Sequence, residues 1–365
     1  MTAPSSPAHP SPGPLPEGAV ASGSLARETA SAGDILRKGL IYVPGVLLLL
    51  AVGYLGKVVA EYVPHTAYVI WAIAIGMVIR NTIPIPKVFL PGIGSYELWL
   101  KTGIVLMGAK FAFQNILAVG GTGLAMVVLE IALSIVVAAY LARKFGLSDK
   151  LGSLIGVGVG ICGVSAVIGA TGAIKARQED ASYAIATILI FGAVMVFLYP
   201  FIGRIVGMSD IHFGYWAGLA VDNTAECLAT GFAYSEGAGR VATVVKLCRN
   251  ALMGLVILFM ALTYARRGMT AEVTDKARFL WDRFPKFVLG FLALSLAATF
   301  GLLAQESVKA MADFSKWLFL LTFAGVGLST EFSRMKAGLK PFAVGFVVEA
   351  LVSVMTIGMI YLVIT

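Results

Sequence analysis

The stretch LGSLIGVGVGICGVSAVIGATGAI (151–174) runs without a charged side chain, and roughly 20 apolar residues suffice for a helix to cross a hydrocarbon core. It is an unusual membrane segment, because glycines stand at 152, 156, 158, 160, 163, 169 and 172. Each glycine costs about 1 kcal/mol relative to alanine inside a helix, so this density does not suit an ordinary spanning helix. Two uses fit. The GxxxG-type spacing of Gly156 and Gly160 permits close backbone approach to a neighbouring helix. A break near Cys162–Ser165 would expose backbone N–H groups at a half-helix N-terminus, where the dipole favours an anion. Cys162, Gly163 and Ser165 are therefore candidate substrate-binding residues, with glycines serving packing alone as the other reading.

The whole chain agrees with a bilayer setting. Of 365 residues 58% are hydrophobic and 13% charged, with a mean hydropathy of +0.88. Soluble domains carry about a quarter charged residues, and single cores stop growing beyond about 250–300 residues. These numbers predict an all-α polytopic membrane protein and exclude soluble enzymes, fibrous proteins and disulfide scaffolds. The formal charge of +8 fits lysine and arginine retained on the cytoplasmic side better than a nucleic-acid partner. Cys162, Cys227 and Cys248 lie in apolar segments without CxxC spacing and read as buried thiols. His9, His65 and His212 are scattered, so neither a metal site nor a cofactor is expected.

Residues 1–38 differ from the rest. Pro4, Pro7, Pro10, Pro12, Pro14 and Pro16 alternate with small residues, a composition that predicts a disordered cytoplasmic tail and no secretory signal. The remainder, 39–365, reads as one transporter domain with segments at about 39–60, 66–80, 90–110, 114–142, 151–174, 182–206, 211–233, 239–264, 285–305, 314–331 and 341–363. About eleven segments with the N-terminus inside put most basic flanks on the cytoplasmic face. Lys175 and Arg177 resist that scheme. If 151–174 and 211–233 were re-entrant hairpins, their loop would return inside without altering later topology, and both options stand.

An internal repeat accompanies the pattern. GIVLMGAKFAFQNI (103–116) is similar to TFAGVGLSTEF (322–332), and VVLEIALS (127–134) to FVVEALVS (346–353). Glu130 and Glu349 thereby become equivalent, each followed four residues later by a serine. A shorter echo links SAVIGATGA (165–173) with TAECLATGF (224–232). Inverted repeats with interrupted helices are characteristic of secondary transporters.

Intramembrane ionisable residues are functional candidates by default. GLAVDNTAECLAT (218–230) supplies Asp222 and Glu226, four apart on one expected helix face, with Asn223 and Thr224 beside them. ATVVKLCRNALMG (242–254) places Lys246, Arg249 and Asn250 on one stripe of an apolar helix. The arginine fork suits a carboxylate, sulfate or phosphate, or else an internal ion pair with Asp222 or Glu226. Lys101 is a further buried-cation candidate. Glu130 and Glu349 fit either coupling or structural hydrogen bonding. Among enzyme motifs HExxH, GxSxG and the P-loop are missing, and the polar loop at about 265–284 is too short for an ATP-binding domain. Transport without catalysis is expected.

The motifs LKTGIVLMGAKF (100–111), GVGICGVSA (158–166) with IKA (174–176), LYP (198–200), FGYWAGLAVDNTAE (213–226) and ATVVKLCRN (242–250) resemble the YeiH-like bacterial membrane proteins, a family assigned to sulfate export. The resemblance runs from about Gly39 to the C-terminus. It implies a secondary carrier of the inner membrane, similar in architecture to cation/proton antiporter and bile-acid carrier folds. One departure stands out. The family usually reads G-x-S-I-H-D-T-A-Q-V where this chain has Gly218-Leu219-Ala220-Val221-Asp222-Asn223-Thr224-Ala225-Glu226-Cys227. Two extra acids beside an anion site imply proton coupling or a zwitterionic or cationic substrate. The expectation is an alternating-access carrier for a small anionic or zwitterionic solute such as sulfate or a sulfonate, with homo-oligomerisation open. Cys162, Gly163, Ser165, Asn223, Thr224, Lys246 and Arg249 would bind substrate, and Asp222 and Glu226 the coupling ion. The alternative is a cation/proton antiporter centred on Asp222-Asn223.

Overall fold

Long apolar helices dominate the computed structural model, which describes residues 39–63, 66–270, 273–333 and 339–364. In chain order the helices are α1 (Val43–Tyr62), α2 (Tyr68–Thr82), the short α3 (Leu90–Gly94), α4 (Tyr96–Met107) and α5 (Phe113–Lys144). Next come α6 (Asp149–Gly160), α7 (Val164–Ala173), α8 (Gln178–Val206), α9 (Asp210–Ala220) and α10 (Thr224–Tyr234). The last are α11 (Glu236–Ala251), α12 (Met253–Arg266), α13 (Lys276–Arg283), α14 (Phe287–Thr299), α15 (Gln305–Ser329) and α16 (Leu339–Val363). The predicted disordered tail, 1–38, lies outside the described residues.

Six stretches are long and apolar enough to cross a membrane unaided: α1, α5, α8, α11 with α12, α15, and α16 from Lys340. Their outer faces expose large apolar side chains such as Leu47, Leu129, Val136, Phe201, Ile205 and Val354. Water would penalise such a surface, whereas lipid accepts it. The other segments expected from the sequence are shorter or interrupted. The 90–110 segment divides into α3, α4 and a 3-10 turn at Gly108–Lys110.

Two of the segments are hairpins. Lys150 at the start of α6 donates from Nζ to the carbonyl of Lys175 just beyond α7, at 2.7 Å. The chain that enters with α6 therefore leaves with α7 at the face it came from, here called the near face. α8, 29 residues long and so roughly 43 Å at 1.5 Å per residue, carries the chain to the far face. There Phe213 near the start of α9 stacks on Tyr234 at the end of α10, with ring centroids 3.9 Å apart, and the Tyr234 hydroxyl donates to the Met208 carbonyl. The second hairpin thus begins and ends at the far face. Of the two options the sequence left open, the contacts favour re-entrant hairpins.

Local chemistry explains each limb. Ser148 and Ser209 cap the entering helices α6 and α9, supplying an acceptor to first-turn amides. Gly152, Gly156 and Gly160 form a strip along α6 that presses onto α5. A Cβ at Gly156 would lie 2.8 Å from the Ile135 Cα, and one at Gly160 would lie 2.4 Å from the Ser134 Oγ. The packing use of these glycines and the break that follows them are both realised.

The repeat has structural content as well. Ser134 on α5 donates to the Gly156 carbonyl of the first hairpin at 3.1 Å. Its counterpart Ser353 on α16 meets Trp216 of the second, whose indole N–H points at the Ser353 carbonyl at 3.3 Å. In the shorter echo Thr171 and Thr230 make the same back-bond, to the Val167 and Glu226 carbonyls at 2.7 and 2.8 Å.

Candidate functional site

Helix breaks fix the site. α6 ends at Gly160 and α7 begins at Val164, with Gly163 between them at φ +66° and ψ −119°, a conformation that side chains with a Cβ rarely adopt. α9 ends at Ala220 and α10 begins at Thr224. The two breaks touch: a Cβ on Gly163 would stand 3.4 Å from the Asn223 backbone. Four half-helix ends therefore meet, two C-terminal and two N-terminal.

Lys246 and Arg249 of α11 serve the C-terminal pair. The Lys246 ammonium donates to the carbonyls of Ile161 and Val221, both at 2.8 Å, and so ties one break to the other. Arg249 donates from Nε to Gly160 at 3.1 Å and from Nη1 to Gly218 and Leu219 at 3.1 and 2.5 Å, and its Nη2 reaches the Val159 carbonyl. Both side chains are completely buried. Carbonyls at a helix C-terminus lack intrahelical partners and carry the negative end of the dipole, so two cations satisfy them in hydrogen bonding and charge. The acid beside Arg249 is Glu130, at 3.5 Å from Nε. The expected ion pair of Arg249 with Asp222 or Glu226 is not the one formed.

The N-terminal pair opens elsewhere. A cavity of about 580 Å³ reaches the crossing from the near face, bordered by Cys162, Val164, Ser165, Asn223, Thr224 and Asn250. Among the described residues no side chain caps α7, which leaves its first-turn amides available. Asn223 caps α10 by accepting from the Ala225 amide at 2.9 Å. The Asn250 amide donates to the Thr224 hydroxyl at 3.1 Å, while its carbonyl oxygen is buried with no partner among the described residues. Three cations and two acids line the outer part: Lys101, Arg283 and Lys286 with Glu97 and Asp282. The Arg283 guanidinium lies 3.8 Å from the centroid of the Phe279 ring, and its Nε is buried without a partner among the described residues.

The cavity joins four of the predicted substrate residues, Cys162, Ser165, Asn223 and Thr224. Gly163 shapes the break without bordering the space. Lys246 and Arg249 do not border it either, because backbone carbonyls occupy them. Asp222 stands in the break and only Glu226 belongs to α10, so the two do not share the one helix face that their four-residue spacing predicted. Both are buried outside the cavity lining. Lys101 is not a buried cation: its side chain is 45% exposed and pairs with Glu97 at 2.9 Å.

Sequence reasoning missed Arg283 and gave Asn250 no separate role. Arg283 was indistinguishable from the basic flanks of any membrane protein. Asn250 had a signal, since it follows Arg249 on a stripe that faces the crossing. All three cysteines are free, with Cys248 only partly buried. Among the described residues no His, Cys, Asp or Glu group has the arrangement of a metal site.

The profile of the family described as conserved hypothetical protein 698 matches residues 44–345. A UPF0324 membrane protein of Nitratidesulfovibrio vulgaris is 35% identical over 87% of this chain and 92% of its own length. One from Agrobacterium fabrum is 30% identical over 87% and 92%, and one from Clostridium tetani 28% over 86% and 95%. No solved structure matches. Together with the motifs that pointed to YeiH-like proteins, these matches make the chain a multi-pass membrane protein belonging to the UPF0324 family.

Proposed function

We propose that the protein is a secondary active transporter that moves a small anionic or zwitterionic solute across the bacterial inner membrane by alternating access. One observation carries the reading: the large cavity ends on the N-termini of two interrupted helices. N-terminal amides and the positive end of the dipole favour an anion, and substrate sites between half-helices recur in carriers. The positive-inside rule supports a cytoplasmic near face, and on that reading the cavity opens inward. The resemblance favours sulfate or a sulfonate, carried outward. Ser165, Asn223, Thr224 and Asn250 would contact the solute, with Cys162 beside it, while Arg283 and Lys286 draw it in. Lys246 and Arg249 keep the crossing assembled. Asp222 and Glu226 hold the coupling ion.

A second reading, cation/proton antiport at Asp222-Asn223, draws on the buried carboxylates around Arg249. A thermal-shift screen of the purified protein separates the two. Sulfate, methanesulfonate or a small organic acid is expected to raise the melting temperature, and Ser165→Leu, which fills the cavity floor, is expected to abolish that shift. Stabilisation by sodium or potassium alone would favour antiport. No shift with any solute, combined with no flux in proteoliposomes, would refute transport.

A further inference from the structure

A second pocket lies at the far face, and the proposed function leaves it unused. It holds about 190 Å³, walled by Tyr68, Met107, Phe232 and Phe319. Its place follows from the chain: Phe232 stands two residues before Tyr234, and Glu236 at its edge begins α11 there. Among the described residues none borders both this pocket and the large near-face cavity.

Two helices nevertheless join them. On α4, Lys101 borders the cavity and Met107 the pocket; on α10, Thr224 borders the cavity and Phe232 the pocket. Those steps of six and eight residues measure about 9 and 12 Å along a helix. The layer between is closed. Residues 225–231 of α10 are buried. The Phe319 ring lies so near α4 that a Cβ on Gly103 would stand 2.9 Å from it, and the Phe319 and Phe232 ring centroids are 5.9 Å apart. Two spaces on the same pair of helices, parted by one closed layer, are the arrangement expected of a single route shut at one end.

Charge repeats as well. Lys110, Arg240 and Lys316 border the pocket with one acid, Glu236. Lys110 meets Glu236 at 3.4 Å, and Lys316 meets Asp313 at 3.2 Å. Arg240 has no ion-pair partner among the described residues, so its charge is the surplus. The cavity mouth has the same balance, three cations against Glu97 and Asp282, and the α4 region supplies one lysine to each end. Exposed pairs contribute little, whereas a surplus cation in an apolar-walled recess focuses its field on an entering anion.

We propose that the far-face pocket is a second anion site, centred on Arg240, and the far vestibule of the route that starts in the cavity. Phe232 and Phe319 are its closed gate. Sulfate or a small sulfonate suits the chemistry: the anionic group meets the guanidinium fork, and an organic body lies against the aromatic wall. The route half of the inference rests on the transporter reading; the anion site does not.

Thiol labelling of the purified protein tests the site without transport. The background carries Cys162→Ala, Cys227→Ala and Cys248→Ala, and the reagents are the sulfonatoethyl and trimethylammonioethyl methanethiosulfonates. Tyr68→Cys puts a thiol in the pocket wall. Ser315→Cys, nearly isosteric and bordering the same pocket, covers the case in which loss of the ring disturbs packing. Gln305→Cys, exposed and outside the pocket, is the control. The anionic-to-cationic rate ratio should be several-fold higher at the pocket thiols than at the control, and Arg240→Gln should return it to the control value. Equal ratios, a preference indifferent to Arg240→Gln, or pocket thiols that neither reagent reaches would overturn the anion site. For the route, labelled protein is reconstituted with sulfate. The sulfonate adduct in the pocket should abolish sulfate flux, and the adduct at Gln305→Cys should spare it; flux that survives the pocket adduct overturns the route. If unlabelled protein moves no sulfate, the transporter reading and the route fall together, and the anion site stands or falls on the labelling ratio.

Discussion

The two hairpins are built to one plan and filled with different chemistry. Each has a serine-capped entering helix, a break and a second limb that repeats the other in sequence. The first carries no charge between Leu151 and Ile174. It breaks at a positive-φ glycine, leaves its second limb uncapped and keeps part of α7 exposed, Ile168 for instance. The second holds Asp222 and Glu226, breaks at an asparagine that caps its second limb and is buried along nearly all of α10. The comparison teaches a division of labour. Backbone geometry makes the first break and leaves amides open to a cavity; side-chain chemistry caps the second, and its acids lie buried without a hydrogen-bond donor among the described residues. The less buried hairpin has fewer contacts to lose, so it is the better placed to move.

That contrast can be broken most severely through the residues that join the hairpins. Arg249→Ala would orphan carbonyls on both and leave Glu130 buried without its cation. Removing one partner of a buried pair costs about 3–5 kcal/mol, so folded protein should be largely lost in fluorescence-detected size-exclusion chromatography. Normal yield and melting temperature would show that the crossing holds without it.

A smaller effect sharpens the difference between the breaks. Gly163→Ala forces a Cβ into the positive-φ region at about 1–3 kcal/mol, and that Cβ would also lie 3.1 Å from a methyl of Ile188. Asn223→Ala forfeits a cap worth about 1 kcal/mol. Melting temperatures should fall further for Gly163→Ala, and the reverse order would mean that capping, not backbone geometry, limits both breaks. The smallest effect belongs to Lys101→Ala. Its exposed pair with Glu97 contributes at most about 1 kcal/mol, so the melting temperature should barely change. A large drop would restore the buried role expected from the sequence.

Much of the site was legible because helix breaks are local. The glycine run located the first break near Cys162–Ser165, and it falls at 161–163. The acidic cluster marked the second segment as exceptional, although Asp222 and Glu226 were expected on one helix face and Asp222 instead stands in the break. The Lys246–Arg249–Asn250 stripe was also legible, since helical periodicity assigns those residues one face. Their partners were not. Arg249 could have met Asp222, Glu226 or a substrate; it meets backbone carbonyls and Glu130, and no rule of spacing predicts a contact between α11 and α5. Arg283 was hidden for the same reason, its role depending on α13 folding over α7.

The sequence by itself determined the solvent and the interruptions. An apolar excess of this size belongs in lipid, and runs of glycine or embedded charge mark where helices yield, because both are properties of neighbouring residues. Tertiary structure alone decided that each hairpin returns to its own face and that the C-terminal ends receive the cations while the N-terminal ends border the cavity. It also decided that Glu130 found an arginine while the Glu349 carboxyl lies buried without a hydrogen-bond partner among the described residues. Equivalent places in a repeat do not fix equivalent partners. A buried charge is satisfied by whatever packing brings within a few ångströms, and that is settled among helices distant in the chain.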